Sequence, residues 1–166
     1  MPTQKTVTCY TFDELSDKAK EKARDWMREC TFDNLDWAYF LEEDAKEIGT
    51  ELIEWNADYG TAKVKMEDPD HTAALILQNH GNATDTWTAA DNYTSAMLEA
   101  SKIEDDDERG EAVETIRSDF YTELGAAYGI MVRKEYTYRG TDEAIDGDIE
   151  ANEYLFTESG SRTFTL

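Results

Sequence analysis

The histidines and one acidic segment are the parts of the chain whose residue types could bind a metal ion. His71 and His80 are too far apart to form the ligand spacing of a zinc-binding motif. The segment 146–150 begins like a calcium-binding loop. However, Ala151 occupies the position that requires glycine, and Thr157 occupies the position that requires a bidentate glutamate. We therefore expect no metal ion and no cofactor, and we place both histidines at helix ends or on the surface.

The sequence also lacks a recognisable catalytic nucleophile. No serine beyond residue 90 lies in the strand–turn–helix context of an activated nucleophile, and no glycine-rich loop could hold a phosphate. These serines are Ser95, Ser101, Ser118, Ser159 and Ser161. Pairs of carboxylates are so frequent here that they give no support for acid–base catalysis. We predict that the chain is not an enzyme.

The two cysteines, Cys9 and Cys30, are too few for a disulfide framework. Cys30 falls on the apolar side of a predicted helix and Cys9 falls in a predicted strand, so we expect buried thiols rather than a disulfide or redox pair. The N-terminus lacks a secretion signal, and no apolar run has the length of a membrane span. We therefore expect a cytoplasmic protein.

Net charge is the most unusual property of the sequence. The 166 residues include 38 acidic and 16 basic side chains, which gives a net charge of −22. Residues 1–30 are balanced, with six of each sign, so the whole excess belongs to residues 31–166. A negative body repels nucleic acid and anionic membranes and attracts basic surfaces. The charge therefore favours a basic protein partner, such as one that itself binds nucleic acid.

Helical periodicity covers most of the chain. A capping-box spacing at residues 11–14 precedes a helix predicted to end near residue 30, with alternating charges on its solvent face. Asp33 is predicted to cap a second helix that ends at Gly49. Further helices are predicted over about 70–79, 86–102, 113–138 and 141–151. In the helix over 86–102, Leu98 is expected on the apolar side.

Two glycines, Gly125 and Gly129, lie inside the longest of these helices. Each costs about 1 kcal/mol of helix propensity relative to alanine, so we expect them to allow close packing or to mark a bend. Gly147 lies inside the last helix and makes it marginal.

Short segments rich in β-branched and aromatic residues predict strands. They cover residues 5–11, 51–55 and 61–66, and a C-terminal β-hairpin is predicted over 154–166. The predicted fold is α+β, with about five or six helices packed on a small antiparallel sheet that includes this hairpin. The length fits a single domain over residues 1–166.

Both ends of the chain resemble a known family. Residues 10–26 (YTFDELSDKAKEKARDW) are similar to the opening of a family of small acidic proteins common in phages and mobile elements. Residues 141–160, especially EANEYLFTESG, resemble its closing segment, and residues 36–49 resemble its second helix. The resemblance covers less than half of the chain. It implies a phage or mobile-element origin and supplies no catalytic residue. Some members of the family are labelled antitoxin-like.

The acidic excess suggests nucleic-acid mimicry. Duplex DNA carries one charge per about 1.7 Å, so 22 charges match roughly 37 Å of DNA, close to the diameter of about 40 Å expected for a domain of this length. We predict a phage-type inhibitor that binds a basic host protein, such as a CRISPR effector, a restriction enzyme or another defence nuclease. The predicted partner-binding residues form three rows: Glu42, Glu43, Glu47, Glu51 and Glu54; Asp105, Asp106, Asp107, Glu108, Glu111 and Glu114; and Asp142, Glu143, Asp146 and Glu150, with Glu153 beyond them.

Other functions remain open from the sequence. An antitoxin that masks a basic toxin would use the same electrostatics, and an acidic surface could also serve solubility or adaptation to high salt. A homodimer could form through the edge of the predicted hairpin or through the long helix. The acids of 105–108 also have a structural explanation, because carboxylates in the first turn of a helix are stabilised by its dipole.

Overall fold

A computed structural model describes residues 8–33 and 35–163. Within these residues the chain forms six α-helices and one two-stranded antiparallel sheet, so the α+β class is confirmed. The helices are α1 (Asp17–Asp33), α2 (Tyr39–Glu47), α3 (Pro69–Asn79), α4 (Asp85–Ala100), α5 (Asp106–Arg139) and α6 (Asp142–Ala151), and the strands are β1 (Thr50–Asn56) and β2 (Thr61–Met66).

The chain divides into two compact units. Unit 1 comprises Met1–Trp37 and Thr137–Leu166, and unit 2 comprises Ala38–Tyr136. The boundary therefore falls near the start of α2 and close to the end of α5. Each unit has buried apolar residues of its own, and that the two form a single domain remains a prediction.

Unit 2 is built around the β-hairpin and the second half of α5. Strand β1 pairs with β2 from Thr50↔Met66 to Asn56↔Thr61, with an irregularity between Leu52 and Glu54 that leaves Ile53 exposed. Side chains alternate along β2, because Val64 and Met66 are buried while Lys63 and Lys65 are exposed. Helix α4 packs on α5 through Tyr93 and Phe120, whose rings stack at 4.5 Å.

The two glycines of α5 bring the helix into contact with the hairpin. A Cβ atom on Gly125 would lie 2.7 Å from the carbonyl oxygen of Ala62, and one on Gly129 would lie 2.3 Å from that of Gly60. Any larger residue would therefore collide with the backbone of the hairpin. Of the two roles predicted for these glycines, close packing is the one that the structure confirms.

Unit 1 packs α1 against α6 and the C-terminal segment. Its core contains Phe12, Leu15, Ala19, Ala23, Ile145, Ile149 and Phe156. The backbone of Tyr10 bonds to that of Phe156 in both directions, at 2.8 and 2.9 Å. Arg162 lies over the ring of Tyr154 at 4.3 Å. Described residues near the two ends of the chain therefore fold together.

The C-terminal hairpin is not confirmed. Within the described residues this segment forms isolated bridges only, Tyr10↔Phe156 and Phe156↔Arg162. The turn before Arg162 is fixed instead by Gly160, whose φ is +81° and whose missing Cβ would lie 2.1 Å from the carbonyl oxygen of Ala19. The segment is positioned by this packing on α1 together with two backbone hydrogen bonds of its own, Thr157 N–H to Ser161 and Thr163 N–H to Leu155, each 2.8 Å. Residues 164–166 of the predicted hairpin lie outside the described residues.

The predicted first strand is not formed by its described residues. Thr8 and Cys9 belong to no strand, Tyr10 makes a single bridge, and Thr11 precedes a short 3₁₀ helix. Residues 5–7 of that strand lie outside the described part of the chain. The capping box is present, because the backbone N–H of Thr11 donates to the carboxylate of Glu14 at 2.8 Å.

The burial predicted for both cysteines is wrong. Cys9 and Cys30 are exposed, and no disulfide joins them. The inward position of the last turn of α1 belongs to Thr31, whose Oγ1 donates to the carbonyl of Met27 at 2.9 Å. The apolar stripe therefore ends one residue away from the position that the periodicity indicates.

Two helix details also differ from prediction. Asp33 is the last residue of α1 and caps no second helix, because a 3₁₀ turn, Leu35–Ala38, leads directly into α2. Leu98 is 62% exposed, and Ala100 is the buried residue at the end of α4. The residues predicted to face inward in α2, from Trp37 to Ile48, are all buried.

Candidate functional site

The first half of α5 carries the densest group of exposed carboxylates. Nine acidic and two basic residues lie within 104–123, and all nine acids are exposed. Asp107, Glu111 and Glu114 follow one another at spacings of four and three residues, which places them on one face of the helix. That face is opposite the one that buries Phe120. We call these three residues the α5 acidic face. Within the described residues none of them forms an ion pair.

The acids just before this face have a structural role. The side chain of Asp105 accepts hydrogen bonds from the backbone N–H groups of Asp107 and Glu108, at 3.0 and 2.9 Å. Asp106 forms an ion pair with Arg109. Capping and the helix dipole thus account for Asp105 and Asp106, as the structural explanation expects. They leave Glu111 and Glu114, beyond the first turn, without a structural explanation.

The row on α2 and β1 is partly neutralised. Glu43 pairs with Lys46 at 2.7 Å, and Glu54 pairs with Lys63 across the hairpin at 2.7 Å. The lysine lowers the pKa of the Glu43 carboxyl through a hydrogen bond, and the same bond raises the pKa of Lys46. Glu42, Glu47 and Glu51 are exposed and form no ion pair within the described residues. This row therefore contributes three unneutralised charges.

The row on α6 is divided between two roles. Arg24 of α1 donates two hydrogen bonds to the carboxylate of Asp146, at 2.6 and 2.7 Å. Arg28 of α1 forms an ion pair with Asp142. The bond to Asp146 raises the pKa of the Arg24 guanidinium. These arginines hold α1 and α6 together. Of the predicted row, Glu143 and Glu150 are exposed and form no ion pair among the described residues, and the same holds for Glu153.

The negative charge is unevenly divided between the two units. Unit 2 contains 23 acidic and 8 basic residues, a net charge of −15. Unit 1 contains 15 acidic and 8 basic residues, a net charge of −7. Together with the ion pairs of α6, this division shifts the candidate surface toward unit 2.

A buried polar network in unit 2 was missed from the sequence. The hydroxyl of Tyr128 donates to Asp44 at 2.7 Å, Asp44 lies 3.7 Å from Nε2 of His80, and Nδ1 of His80 lies 2.7 Å from the hydroxyl of Thr86. Burial and the hydrogen bond to Asp44 raise the pKa of Tyr128. Only tertiary structure brings these residues together, since they come from four separate parts of the chain.

This network resembles a hydrolytic triad only in its residue types. Thr86, which would be the nucleophile, is 2% exposed. The distance of 3.7 Å between Asp44 and His80 also exceeds that of a hydrogen bond. The network instead connects α2, the end of α3, the start of α4 and α5. His80 is thus partly buried within a network, whereas His71 is exposed as expected.

Unit 1 contains an apolar groove of about 430 Å³. Phe12 and Ile149, both buried, form its floor together with the half-buried Tyr154 and Leu155. A volume in this range could hold one or two side chains of a ligand. No periodic pattern in the sequence indicates this groove, because its walls come from residues 11–13 and 149–155.

Comparisons with protein-family models, with curated proteins and with solved structures find no match for this chain. Among the described residues no helix is long and apolar enough to cross a membrane. No group of three or more histidine, cysteine or acidic residues in that same part of the chain is placed to hold a metal ion. The surface chemistry of the two units therefore carries the functional argument.

Proposed function

We propose that this protein binds a basic, nucleic-acid-binding protein and takes the place of nucleic acid on it. A phage-encoded inhibitor of a host defence nuclease, such as a CRISPR effector or a restriction enzyme, would have this function in the cytoplasm of the host. The observation that carries the proposal is the α5 acidic face, whose carboxylates are exposed, lie on one side of a helix and have no ion-pair partner among the described residues.

The spacing of this face supports mimicry of a phosphate backbone. Asp107 and Glu114 are separated by about 10 Å along the helix, at a rise of 1.5 Å per residue. One strand of DNA carries a phosphate every 3.4 Å or so along its axis, which gives about three in the same length. A helix also presents its carboxylates without the entropy cost of ordering a loop.

Desolvation favours these acids over those of α6 as the binding residues. Asp142 and Asp146 already have arginine partners within unit 1, so a basic partner would have to displace Arg24 or Arg28. Asp107, Glu111 and Glu114 would lose only water. We therefore narrow the predicted surface to the α5 acidic face, with Glu42, Glu47 and Glu51 of unit 2 as further candidates.

Affinity capture from a bacterial lysate tests the proposal. The immobilised wild-type chain should retain DNA-binding proteins that duplex DNA displaces, and retention should fall steeply between about 50 mM and about 500 mM salt. Mass spectrometry identifies the retained proteins. Retention that persists at the higher salt and resists DNA would contradict nucleic-acid mimicry.

A matched pair of variants separates the α5 acidic face from net charge. Neutralising the face with Asp107→Asn, Glu111→Gln and Glu114→Gln should weaken binding by about tenfold, from three contacts of about 0.5 kcal/mol each. The control carries Glu29→Gln, Glu143→Gln and Glu158→Gln, three exposed acids of unit 1, and has the same net charge. Equal losses in both variants would show that only total charge matters.

An antitoxin that masks a basic toxin would use the same face. The capture experiment separates the two functions, because displacement by duplex DNA is expected only for a partner whose DNA-binding site is occupied. A retained protein that DNA does not displace, and whose toxicity the chain suppresses, would favour the antitoxin.

A further inference from the structure

The groove of unit 1 has an acidic rim. Asp13, Glu150 and Glu153 line it and are exposed, whereas its floor is apolar and only partly accessible. No basic residue lines the groove in the described part of the chain. An apolar floor inside a ring of like charge is complementary to an apolar side chain that has cationic groups on both sides.

Glu153 occupies a backbone position that usually belongs to glycine. Its φ is +52°, in the left-handed region. Helix α6 ends there in a Schellman motif, in which Glu153 N–H donates to the carbonyl of Glu150 at 3.0 Å and Tyr154 N–H donates to that of Ile149 at 3.3 Å. Glycine adopts this conformation without the steric cost that glutamate bears. Glutamate in place of glycine at this turn puts a third carboxylate at the rim of the groove.

We propose that this groove binds a short peptide segment of a partner protein, in which an apolar side chain is flanked by lysine or arginine. The apolar side chain packs on the half-buried Tyr154 and Leu155, above the buried Phe12 and Ile149, and the cationic groups pair with the three rim carboxylates. The site lies wholly within unit 1 and uses none of the residues of the α5 acidic face. It can therefore succeed or fail independently of the proposed function.

Titration of the full-length, ¹⁵N-labelled chain with the peptide acetyl-Arg-Lys-Leu-Phe-Lys-Arg-amide tests the site. We expect saturable chemical-shift changes centred on the amides of Phe12, Ile149 and Leu155. A control peptide of the same charge, with Gly-Ser in place of Leu-Phe, should bind at least about fivefold more weakly. A second control peptide, in which glutamates flank Leu-Phe, should lose at least as much affinity. Equal binding of the Gly-Ser peptide would overturn the site, because charge alone would then explain it.

A charge reversal at the rim has a closely matched control. Glu150 and Glu29 are both exposed, Glu150 in the last turn of α6 and Glu29 in the C-terminal third of α1, where lysine is compatible with the helix dipole. Glu150→Lys should lower the affinity for the Leu-Phe peptide by about fivefold or more, whereas Glu29→Lys should lower it by less than about twofold. Equal effects would place the peptide outside the groove.

The variant Glu153→Gly separates peptide binding from stability. Glu153→Gly relieves the steric cost of the left-handed conformation and removes one rim carboxylate. It should therefore raise Tm and lower the affinity for the Leu-Phe peptide at the same time. A raised Tm with unchanged affinity would overturn the role of Glu153 at the rim. The amide chemical shifts of Phe12, Ile149 and Leu155 should not depend on protein concentration when no peptide is present. If they do, the groove binds a second copy of the chain, and the peptide site is overturned.

Discussion

The two halves of α5 use one continuous helix for opposite purposes. The first half exposes its acids to solvent, and Gly110 there has open space around it. The second half buries Leu124, Tyr128 and Val132, and its glycines touch the backbone of the hairpin. The regular backbone is the same in both, so the difference lies in what packs against it. The second half contributes mainly to the stability of the fold, and the first half contributes mainly to the negative surface charge.

The largest expected effect comes from filling the close contact in the packed half. Gly129→Ala would place a Cβ atom 2.3 Å from the carbonyl oxygen of Gly60, a backbone atom that cannot move alone. We expect a loss of about 3 kcal/mol or more in the free energy of unfolding. Denaturant titration followed by circular dichroism measures it.

The matched control is Gly110→Ala in the exposed half. It meets nothing within 4 Å and should gain about 1 kcal/mol from helix propensity. The comparison between the halves would fail if both substitutions changed stability in the same direction.

The next effect separates paired acids from unpaired ones. Arg24→Met breaks the two-fold hydrogen bond to Asp146, whose side chain is 26% exposed, and should cost about 2 kcal/mol. Thermal and denaturant unfolding measure the loss, and a double-mutant cycle with Asp146→Asn isolates the pair. Lys18→Met, an exposed cation on the same helix, controls for charge and should stay within about 0.5 kcal/mol. A coupling energy near zero would show that this pair contributes nothing to holding α1 on α6.

Tyr128 gives the packed half of α5 a pH dependence. Burial and the hydrogen bond to Asp44 raise its pKa above that of the unfolded chain, near 10. A raised pKa means that the stabilisation is fully present below about pH 10 and is lost as the pH rises above it. Tyr128→Phe should cost about 1 kcal/mol at neutral pH and should remove this part of the alkaline loss. Stability curves from pH 7 to pH 11 of both proteins test the sign, and parallel curves would contradict it.

The smallest effect is expected in the exposed half. The variant with Asp107→Asn, Glu111→Gln and Glu114→Gln should unfold within about 0.5 kcal/mol of the wild type, because these side chains form no ion pair among the described residues. The same variant is expected to lose binding, so a change in partner affinity without a change in stability would sharpen the comparison. A loss of about 2 kcal/mol or more would instead make the α5 acidic face part of the fold.

Local sequence signals predicted the elements well where a single segment contains the whole cause. The capping residues Thr84 and Thr141 each accept a hydrogen bond from the backbone N–H three residues on, as their positions indicate. The strands and turn of residues 50–66 also follow from alternation and from Gly60, whose φ is +64°. The C-terminal hairpin is not confirmed: the described part of the segment forms isolated bridges, and its turn packs through Gly160 on Ala19, far away in the sequence.

The sequence by itself determined the net charge, most of the helical periodicity and the caps at Thr84 and Thr141, because each depends on composition or on residues within one turn of each other. Only the tertiary structure decided which carboxylates have partners from distant parts of the chain. Arg24 and Asp146 are 122 positions apart, and no local pattern relates them. Whether an acid stabilises the fold or remains available to a partner depends on which cation folding brings near it, since the interaction of two charges falls off with their distance in space.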